Sequence, residues 1–257
     1  MVVGNGIGVG YRGLTLLLER LSQSYRVVCW DYRGFFDSGP PGYGGPRMPA
    51  HARDCLAVMD ALGVEHVAYV GWSMGVSVGF EALRCQPDRF TRMACIDGIP
   101  SSPYTATPLI PRLSRIAPTA LRAAARSGPA VSPFLSGMLR HPAFQSLAGR
   151  SGLLRQHADP EAFMAMARGV AGHDLRLYLE TLAELGEQDA HRMLPQVDIP
   201  LLFLVGAWDL FVPRWVVRQL AEQAPNARVE LLHGATHFAV VEEPEQVNEA
   251  LMAFLSE

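Results

Sequence analysis

Lysine is absent from this sequence of 257 residues, so all 22 of its basic side chains are arginine. The 25 acidic residues bring the net charge to −3, and this balance gives no sign of a nucleic-acid partner. The N-terminus has neither the basic stretch nor the apolar run of a signal peptide, and no apolar run approaches the ~18 residues that a membrane span requires. We therefore expect a cytoplasmic protein with no integral membrane segment.

Cysteine is also scarce, and its four copies lie far apart at Cys29, Cys55, Cys85 and Cys95. They form no C-x-x-C pair and lie in no histidine cluster, which argues against a metal site. We expect free thiols in a reducing compartment, with no metal ion and no cofactor. The content of 49% hydrophobic and 18% charged residues is typical of a folded globular protein, large enough for one core with an insertion.

The stretch 66–84, HVAYVGWSMGVSVGFEALR, joins a predicted strand directly to a predicted helix. Between them, Gly71-Trp-Ser73-Met-Gly75 matches the pattern G-x-S-x-G. Such a turn forces Ser73 into a strained conformation, and a side chain at either flanking position would clash, so glycine is needed at both. Ser73 then projects at the N-terminus of a helix, where free N–H groups favour a developing oxyanion. The alternative is a tight turn with an incidental serine.

Short apolar runs alternate with helical patterns over most of the chain. The predicted strands are 1–3, 25–30, 67–70, 90–96, 200–205 and 228–232. The predicted helices are 14–21, 50–62, 74–84, 213–223 and 244–255. This alternation predicts an α/β fold with a mostly parallel, doubly wound sheet covered by helices on both faces. Since ligands bind beyond the carboxyl ends of such strands, the residues that follow each strand are the candidates for a site.

Two of those residues complete a candidate nucleophile. A serine hydroxyl needs a base to remove its proton, and the base needs a third group that fixes its tautomer. Asp209 follows the next-to-last predicted strand and His237 follows the last, which gives the chain order Ser, Asp, His known for hydrolases with a G-x-S-x-G turn. Taken singly, Asp209 could be a turn residue and His237 a packed core histidine. Asp97, after another strand, and His233, beside His237, are the rivals.

Four segments make the sequence resemble the α/β-hydrolase superfamily over almost its whole length. They are Gly71-Trp-Ser73-Met-Gly75, Gly206-Ala-Trp-Asp209-Leu-Phe-Val-Pro213, Gly234-Ala-Thr-His237-Phe-Ala-Val-Val-Glu-Glu-Pro244 and Asp31-Tyr-Arg-Gly34. The first three resemble the nucleophile elbow, the acid loop and the histidine loop, and the fourth resembles the D-x-R-G after the preceding strand. The resemblance implies the α/β-hydrolase fold, with Ser73, His237 and Asp209 as a catalytic triad.

The resemblance also implies an oxyanion hole and a pocket. Gly4-Asn5-Gly6-Ile7-Gly8 stands where the family has H-G-x-G, so the backbone N–H groups of Ile7 and Met74 are the expected donors. Asn5 replaces the usual histidine, and Phe35-Phe36 replaces a frequent His-Gly, which makes that loop bulkier. The residues expected to line the substrate pocket are Asn5, Phe35, Phe36, Trp72 and Phe238.

The predicted strand Tyr25–Trp30 falls at one edge of the sheet, because the family's two N-terminal strands have no counterpart in this sequence. A long apolar edge strand is prone to association. We expect either a further N-terminal segment or a homodimer contact to cover it.

Residues 100–195 are helical by pattern and stand where the family has a helical cap, which leaves 1–99 and 196–257 as the core. Within the insertion, residues 101–158 contain seven arginines and no acidic residue, so the remainder carries −10 against −3 for the whole chain. Such a basic stretch favours an anionic substrate group or an anionic lipid surface. The alternative is a solvated face whose arginines pair with acids elsewhere, such as Glu242, Glu243 and Glu245.

The chemistry implied is hydrolysis of a small carboxylic ester with an apolar acyl part, through an acyl-enzyme. Hydrolysis of thioesters, lactones or C–C bonds and peroxyacid formation use the same triad and stay open. Two alternatives come from other classes. One is a hydrolase-like protein that binds but turns over slowly. The other is a dinucleotide-binding protein, because Gly8-Val-Gly10-Tyr-Arg-Gly13 satisfies G-x-G-x-x-G and Asp31 follows about 18 residues later.

Overall fold

The computed structural model describes residues 1–106 and 111–257. Its strands are β1 (Val2–Gly4), β2 (Val28–Cys29), β3 (Val67–Trp72), β4 (Phe90–Ile96), β5 (Leu201–Gly206) and β6 (Ala227–Leu232). They form one sheet in the order β2-β1-β3-β4-β5-β6, and every neighbouring pair is parallel. The predicted parallel sheet is therefore confirmed.

Helices cover both faces of this sheet. The helices before the insertion are α1 (Thr15–Ser22), α2 (Met48–Ala61) and α3 (Met74–Cys85). Those of the insertion are α4 (Pro103–Ala106), α5 (Pro111–Arg126), α6 (Gly128–Arg140), α7 (Ala143–Ser151), α8 (Pro160–Ala171) and α9 (Leu175–Leu185). Those after it are α10 (Arg214–Ala221), α11 (Ala239–Glu242) and α12 (Pro244–Leu255). Helices α2, α3 and α10 pack on one face, and α1 and α12 pack on the other.

The strands read as continuous apolar runs because side chains on both sides of them are buried. In β5, Phe203 and Val205 point into the cluster with α3 and α10, whereas Leu202 and Leu204 point into the cluster with α1 and α12. All four side chains are at most 1% exposed. A strand covered on both faces has no polar side to alternate with, which is the pattern of a parallel sheet.

The edge of the sheet differs from the sequence prediction. Strand β2 spans Val28–Cys29 alone, and it pairs only with Val2 and Val3. The predicted strand Tyr25–Trp30 is wrong in length, because the neighbouring β1 has just three residues to offer as partners. A very short edge strand presents few unpaired backbone groups, which limits edge-to-edge association. The homodimer contact stays a prediction.

The insertion between β4 and β5 is helical throughout its described residues. Asp159 and Asp174 open two of its helices, since their carboxylates accept hydrogen bonds from Ala162 N at 2.7 Å and Arg176 N at 2.9 Å. The insertion packs on the core at the carboxyl edge of the sheet. The cap boundaries 100 and 195 stay a prediction. Every helix in the described ranges is too short or too polar to cross a bilayer.

Candidate active site

Ser73 occupies the turn between β3 and α3, and its backbone is strained. Its φ of 55° and ψ of −118° lie in a region that L residues seldom adopt. The flanking glycines explain why the turn can close. A Cβ on Gly71 would lie 2.7 Å from the carbonyl carbon of Gly75, and a Cβ on Gly75 would lie 2.2 Å from the carbonyl oxygen of Gly4. Only glycine fits at both positions, so the packing of backbone against backbone fixes the serine.

Ser73, His237 and Asp209 form a chain of hydrogen bonds at the carboxyl edge of the sheet. The Ser73 Oγ lies 3.0 Å from His237 Nε2, and His237 Nδ1 lies 2.8 Å from Asp209 Oδ2. The Asp209 carboxylate accepts at Nδ1, so the neutral ring carries its proton there and leaves Nε2 to accept from the serine hydroxyl. The structure therefore brings together the three residues that the sequence singled out.

Asp209 is held in place by its own loop. Its Oδ1 accepts hydrogen bonds from the backbone N–H groups of Phe211 at 2.7 Å and Val212 at 2.9 Å. The carboxylate is fully buried. Two backbone donors and one imidazole donor satisfy a buried negative charge that would otherwise be costly.

The charge around His237 favours its protonated form. Burial by itself lowers the pKa of the imidazole, but attraction to the Asp209 carboxylate, aided by Asp97 and Glu242, outweighs it, and the pKa lies above its ordinary value. A ring whose cation is stabilised in this way accepts a proton from a hydroxyl more readily.

Asp97, the rival acid, lies behind the site and makes no hydrogen bond with His237. It is completely buried, and its Oδ1 accepts from the backbone N–H of Gly206 at 2.8 Å. Its Oδ2 has no partner among the described residues. Burial, followed by repulsion from Asp209, raises the pKa of Asp97 well above its ordinary value. Because it makes no hydrogen bond with the ring, Asp97 does not orient the histidine. His233, the rival base, is exposed.

The two backbone amides expected to form the oxyanion hole donate no hydrogen bond to an acceptor among the described residues. Ile7 lies in the turn that Val9 closes by donating to the carbonyl of Gly6 at 3.2 Å, and Met74 is the first residue of α3. In residues 1–106 and 111–257, neither the Ile7 amide nor the Met74 amide donates to a protein acceptor. The Met74 amide directly follows Ser73 at the N-terminus of α3, a position that favours an anion. The use of the Ile7 and Met74 amides as an oxyanion hole stays a proposal.

Three residues predicted to line the pocket, Asn5, Phe35 and Trp72, are buried by contacts within the protein, and their contact with substrate stays a prediction. Asn5 is 1% exposed and donates to the carbonyl of Trp30 at 3.1 Å, because β2 runs beside its loop. Phe35 is also 1% exposed, and its ring meets the ring of His173 in the insertion at 4.9 Å between centroids.

Trp72 has a positioning role in the structure. Its indole N–H donates to the carbonyl of His237 at 3.2 Å, and its ring fills the space that a Cβ on Gly6 would need. One buried indole therefore ties the loop of the expected oxyanion donors to the histidine loop.

The other two predicted pocket residues keep more exposure. Phe36 is 41% exposed and covers Gly10, and its ring also contacts His173. Phe238 is partly buried against the rings of Trp72 and Phe163. Their contact with substrate stays a prediction.

Glu242 lies in the histidine loop, but the sequence predicted no role for its side chain in holding that loop. This buried carboxylate accepts hydrogen bonds from the backbone N–H of Thr236 at 2.5 Å, from its hydroxyl at 2.8 Å, and from the backbone N–H of Arg155 at 2.7 Å. The Thr236 hydroxyl also bonds the carbonyl of Leu153. Glu242 therefore fastens the loop of His237 to the insertion. Its spacing from His237 gave no signal, because the contact depends on how the insertion folds back.

The glycine-rich loop is covered, which weighs against a dinucleotide site. A Cβ on Gly8 would meet the ring of Tyr178, and one on Gly10 would meet the ring of Phe36. A pyrophosphate needs open backbone at these positions. The sequence gave no hint that Tyr178 of α9 would lie against this loop.

The described residues contain no disulfide and no cluster of metal-ligand type. All four cysteines are unpaired, and burial raises the pKa of Cys29 to about 11 and that of Cys55 to about 12. Protonated thiols are poor nucleophiles and poor ligands. No group of three or more His, Cys, Asp or Glu side chains within 1–106 and 111–257 is arranged to hold a metal ion.

Comparisons with known proteins agree with this architecture. A protein of Stutzerimonas stutzeri (strain A1501) whose name includes the words carbamate hydrolase RutD is 26% identical over 100% of this chain and 91% of its own length. A thermophilic esterase from Thermogutta terrifontis is 22% identical, with a TM-score of 0.76 over 99% of this chain and 88% of that one. The enol-lactonase from Burkholderia xenovorans LB400 is 21% identical, with a TM-score of 0.77 over 100% of this chain and 90% of that one. The family model of the alpha/beta hydrolase fold matches residues 4–244, and the chain therefore belongs to that family of hydrolases.

Proposed function

We propose that this protein is a serine hydrolase that cleaves carboxylic esters through an acyl-enzyme. The observation that carries the proposal is the unbroken relay from the Ser73 hydroxyl through His237 to Asp209, with distances of 3.0 Å and 2.8 Å. A hydroxyl beside an imidazole whose far nitrogen meets a buried carboxylate is the arrangement that activates a serine as a nucleophile.

The steps follow from the atoms that face each other. Ser73 Oγ attacks the ester carbonyl carbon while its proton passes to His237 Nε2, and Asp209 stabilises the imidazolium that forms. Collapse of the tetrahedral intermediate expels the alcohol, which takes the proton from His237. A water molecule then repeats the sequence on the acyl group and frees Ser73.

The negative oxygen of each tetrahedral intermediate would be held by the backbone N–H groups of Ile7 and Met74. Both amides lack a protein acceptor among the described residues, and the second stands at the N-terminus of α3. Loss of one such donor typically raises the barrier by about 3 kcal/mol.

The rim beside the imidazole supports an apolar substrate. Phe211 is 47% exposed, and its ring centroid lies 5.0 Å from that of His237. Its neighbours Trp208 and Leu210 are 60% and 66% exposed. These side chains offer an apolar surface to the part of an ester that lies next to the scissile bond.

Labelling with a fluorophosphonate probe tests the proposal. The probe should attach at a single site, which peptide mass spectrometry locates at Ser73. The Ser73→Ala variant should bind no probe and should have the same circular dichroism spectrum as the parent. Attachment to another serine, or none to folded parent protein, would overturn the assignment. Labelling without turnover of any p-nitrophenyl ester would instead mark a hydrolase-like binding protein.

A carbamate is the second candidate substrate, because the relative from Stutzerimonas stutzeri carries a name that includes carbamate hydrolase. The same relay would transfer a carbamoyl group to Ser73 and then to water. Steady-state rates on matched p-nitrophenyl acetate and p-nitrophenyl methylcarbamate separate the two. If the ester is turned over continuously and the carbamate gives only a single-turnover burst of p-nitrophenol, the ester is the supported substrate class. Faster continuous release of p-nitrophenol from the carbamate supports the carbamate.

A further inference from the structure

Helices α6 and α7 of the insertion enclose an open apolar groove that takes no part in the triad. Its volume is about 650 Å³. The groove is lined by Phe134, Met138, His141, Phe144, Leu147 and Arg150. We call it the α6–α7 groove. Phe134 is 77% exposed and Leu147 is 59% exposed. A cluster of large apolar side chains that face water marks a surface where something binds.

The apolar stripe of α6 explains why the groove is exposed. Val131, Phe134 and Met138 lie three and then four residues apart, so they share one face of the helix. They are 49%, 77% and 39% exposed. In an ordinary amphipathic helix this is the stripe that the protein buries against its core. Here the stripe faces outward.

Positive charge lies at the edge of this apolar surface. Arg150 lines the groove, is exposed, and has no carboxylate partner among the described residues. Arg126 at the end of α5 is also exposed without such a partner, whereas Arg140 lies on the face of α6 that carries Ser136 and donates to the carbonyl of Ala171 at 3.3 Å. Of the arginines whose side chains are described in this basic stretch, Arg122 alone pairs with carboxylates, those of Glu184 and Glu187. The side chains of Arg112 and Arg115 lie outside the described residues.

Among the described side chains, none of the three acids named as partners pairs with an arginine of the basic stretch. Glu242 is bound to Thr236 and to a backbone N–H, as described above. Glu243 lies 2.9 Å from His157 Nε2 and 2.6 Å from the amide nitrogen of Gln246. Glu245 makes no ion pair within the described residues. Pairing with acids elsewhere is therefore seen for Arg122, with Glu184 and Glu187 as its partners, and Arg150 in the groove is left to meet an external anion.

We propose that the α6–α7 groove docks the protein on a bilayer that contains anionic phospholipid. Phe134 and Leu147 enter the boundary between headgroups and acyl chains, and Arg150 at the edge of the groove meets the phosphates. A bilayer supplies acyl chains and anionic groups at one surface, so it matches both features without needing a complementary shape. Each arginine near such a surface strengthens attachment about fivefold.

Vesicle sedimentation tests this docking. The full chain should pellet with vesicles of phosphatidylglycerol and phosphatidylcholine mixed, and stay in the supernatant with vesicles of phosphatidylcholine alone. Raising the salt from 0.1 M to 1 M shortens the screening length from about 10 Å to about 3 Å, so it should release the protein. The Ser73→Ala variant should pellet like the parent, which separates this proposal from the proposed function.

Matched variants locate the surface. Phe134→Ser and Arg150→Gln should each weaken pelleting about fivefold or more. The controls Leu62→Ser and Arg218→Gln change an exposed leucine and an exposed arginine on the core, and should leave pelleting unchanged. All four positions are exposed, so each variant should keep the parent's melting temperature.

Four results would overturn the proposal. The first three are equal pelleting with neutral and anionic vesicles, no pelleting with either, and a loss of pelleting in the control variants equal to that in the groove variants. The fourth is a dimer in light scattering that Phe134→Ser dissociates, since the groove would then bind a second copy of this chain. Pelleting confined to anionic vesicles, sensitive to salt and lost in the two groove variants, supports it.

Discussion

The catalytic edge of the sheet and the α6–α7 groove use charged and apolar groups in opposite ways. At the catalytic edge, Asp209 and Glu242 are buried and each accepts three hydrogen bonds. In the groove, Arg150 has no ion pair within the described residues and Phe134 is 77% exposed. One region satisfies its polar groups inside the protein, and the other leaves both its charge and its apolar surface to solvent.

The difference teaches where sequence changes matter. Backbone contacts hold the elbow so closely that Gly71 and Gly75 leave no room for a methyl group. The groove has open space around its side chains, so it can change without disturbing the fold. Catalysis needs fixed geometry, whereas attachment to a fluid surface does not.

The largest expected effect is that of Ser73→Ala. Removing the hydroxyl removes the nucleophile, and turnover of p-nitrophenyl esters should fall about 10⁶-fold. Circular dichroism and melting temperature should match those of the parent. Retained turnover would reassign the nucleophile.

The next largest effect is the expected difference in rate between variants of the two buried carboxyl groups, Asp209 and Asp97. Asp209→Asn should lower kcat about 10⁴-fold, because an amide no longer fixes the imidazole tautomer or stabilises its cation. Asp97→Asn should lower kcat far less, since Asp97 makes no hydrogen bond with His237 and the amide oxygen of asparagine still accepts from the Gly206 N–H. Steady-state kinetics of both variants decide. Equal losses would mean that Asp97 also orients His237.

Two glycine-to-alanine substitutions, one in the elbow and one in the groove, compare how tightly the two regions are packed. Gly75→Ala should lower the free energy of unfolding by about 3 kcal/mol, because its methyl group would lie 2.2 Å from the Gly4 carbonyl oxygen. Gly137→Ala in α6 meets nothing within 4 Å and should raise that free energy by about 0.5–1 kcal/mol. Urea unfolding measures both. A stable Gly75→Ala protein would contradict the close packing of the elbow.

The pH dependence of the rate reports on His237. Its pKa is raised, so kcat/KM should fall about tenfold per pH unit below a midpoint above 6.5, as the ring becomes protonated and can no longer accept the serine proton. In Asp209→Asn, burial remains and the carboxylate is gone, so the midpoint should move to lower pH. A midpoint that stays in place would mean that Asp209 does not set the charge of the ring.

The smallest effect is expected in the groove. Phe134→Ser should leave the hydrolysis of p-nitrophenyl acetate unchanged, because the side chain does not touch the triad and the substrate is a dissolved monomer. Its free energy of unfolding should stay within about 0.5 kcal/mol of the parent's. Rates on soluble ester and urea unfolding measure these. A large loss of soluble activity would tie the groove to the active site.

Features that depend on neighbouring residues along the chain were predictable. Strand β4 has the predicted bounds Phe90–Ile96, and the turn at Ser73 joins a strand to a helix as its glycines indicate. Because parallel strands end at one edge, the order of the strands also indicated that Asp209 and His237 would approach that serine.

Features that depend on contacts between distant segments were not predictable. Trp72 and Phe35 look like pocket residues in the sequence, but they are buried because the histidine loop and the insertion pack over them. Strand β2 is short because its neighbour is short, which no pattern within Tyr25–Trp30 can indicate.

The α/β architecture and the three residue types at the strand ends follow from the order of the residues alone, since hydrophobic periodicity and the steric demands of glycine act over a few residues. It is the packed fold that fixes which carboxylate meets His237, which aromatic rings are buried and which arginines lack partners. Those outcomes depend on distances between side chains that lie far apart along the chain, and such distances are fixed only when the segments pack.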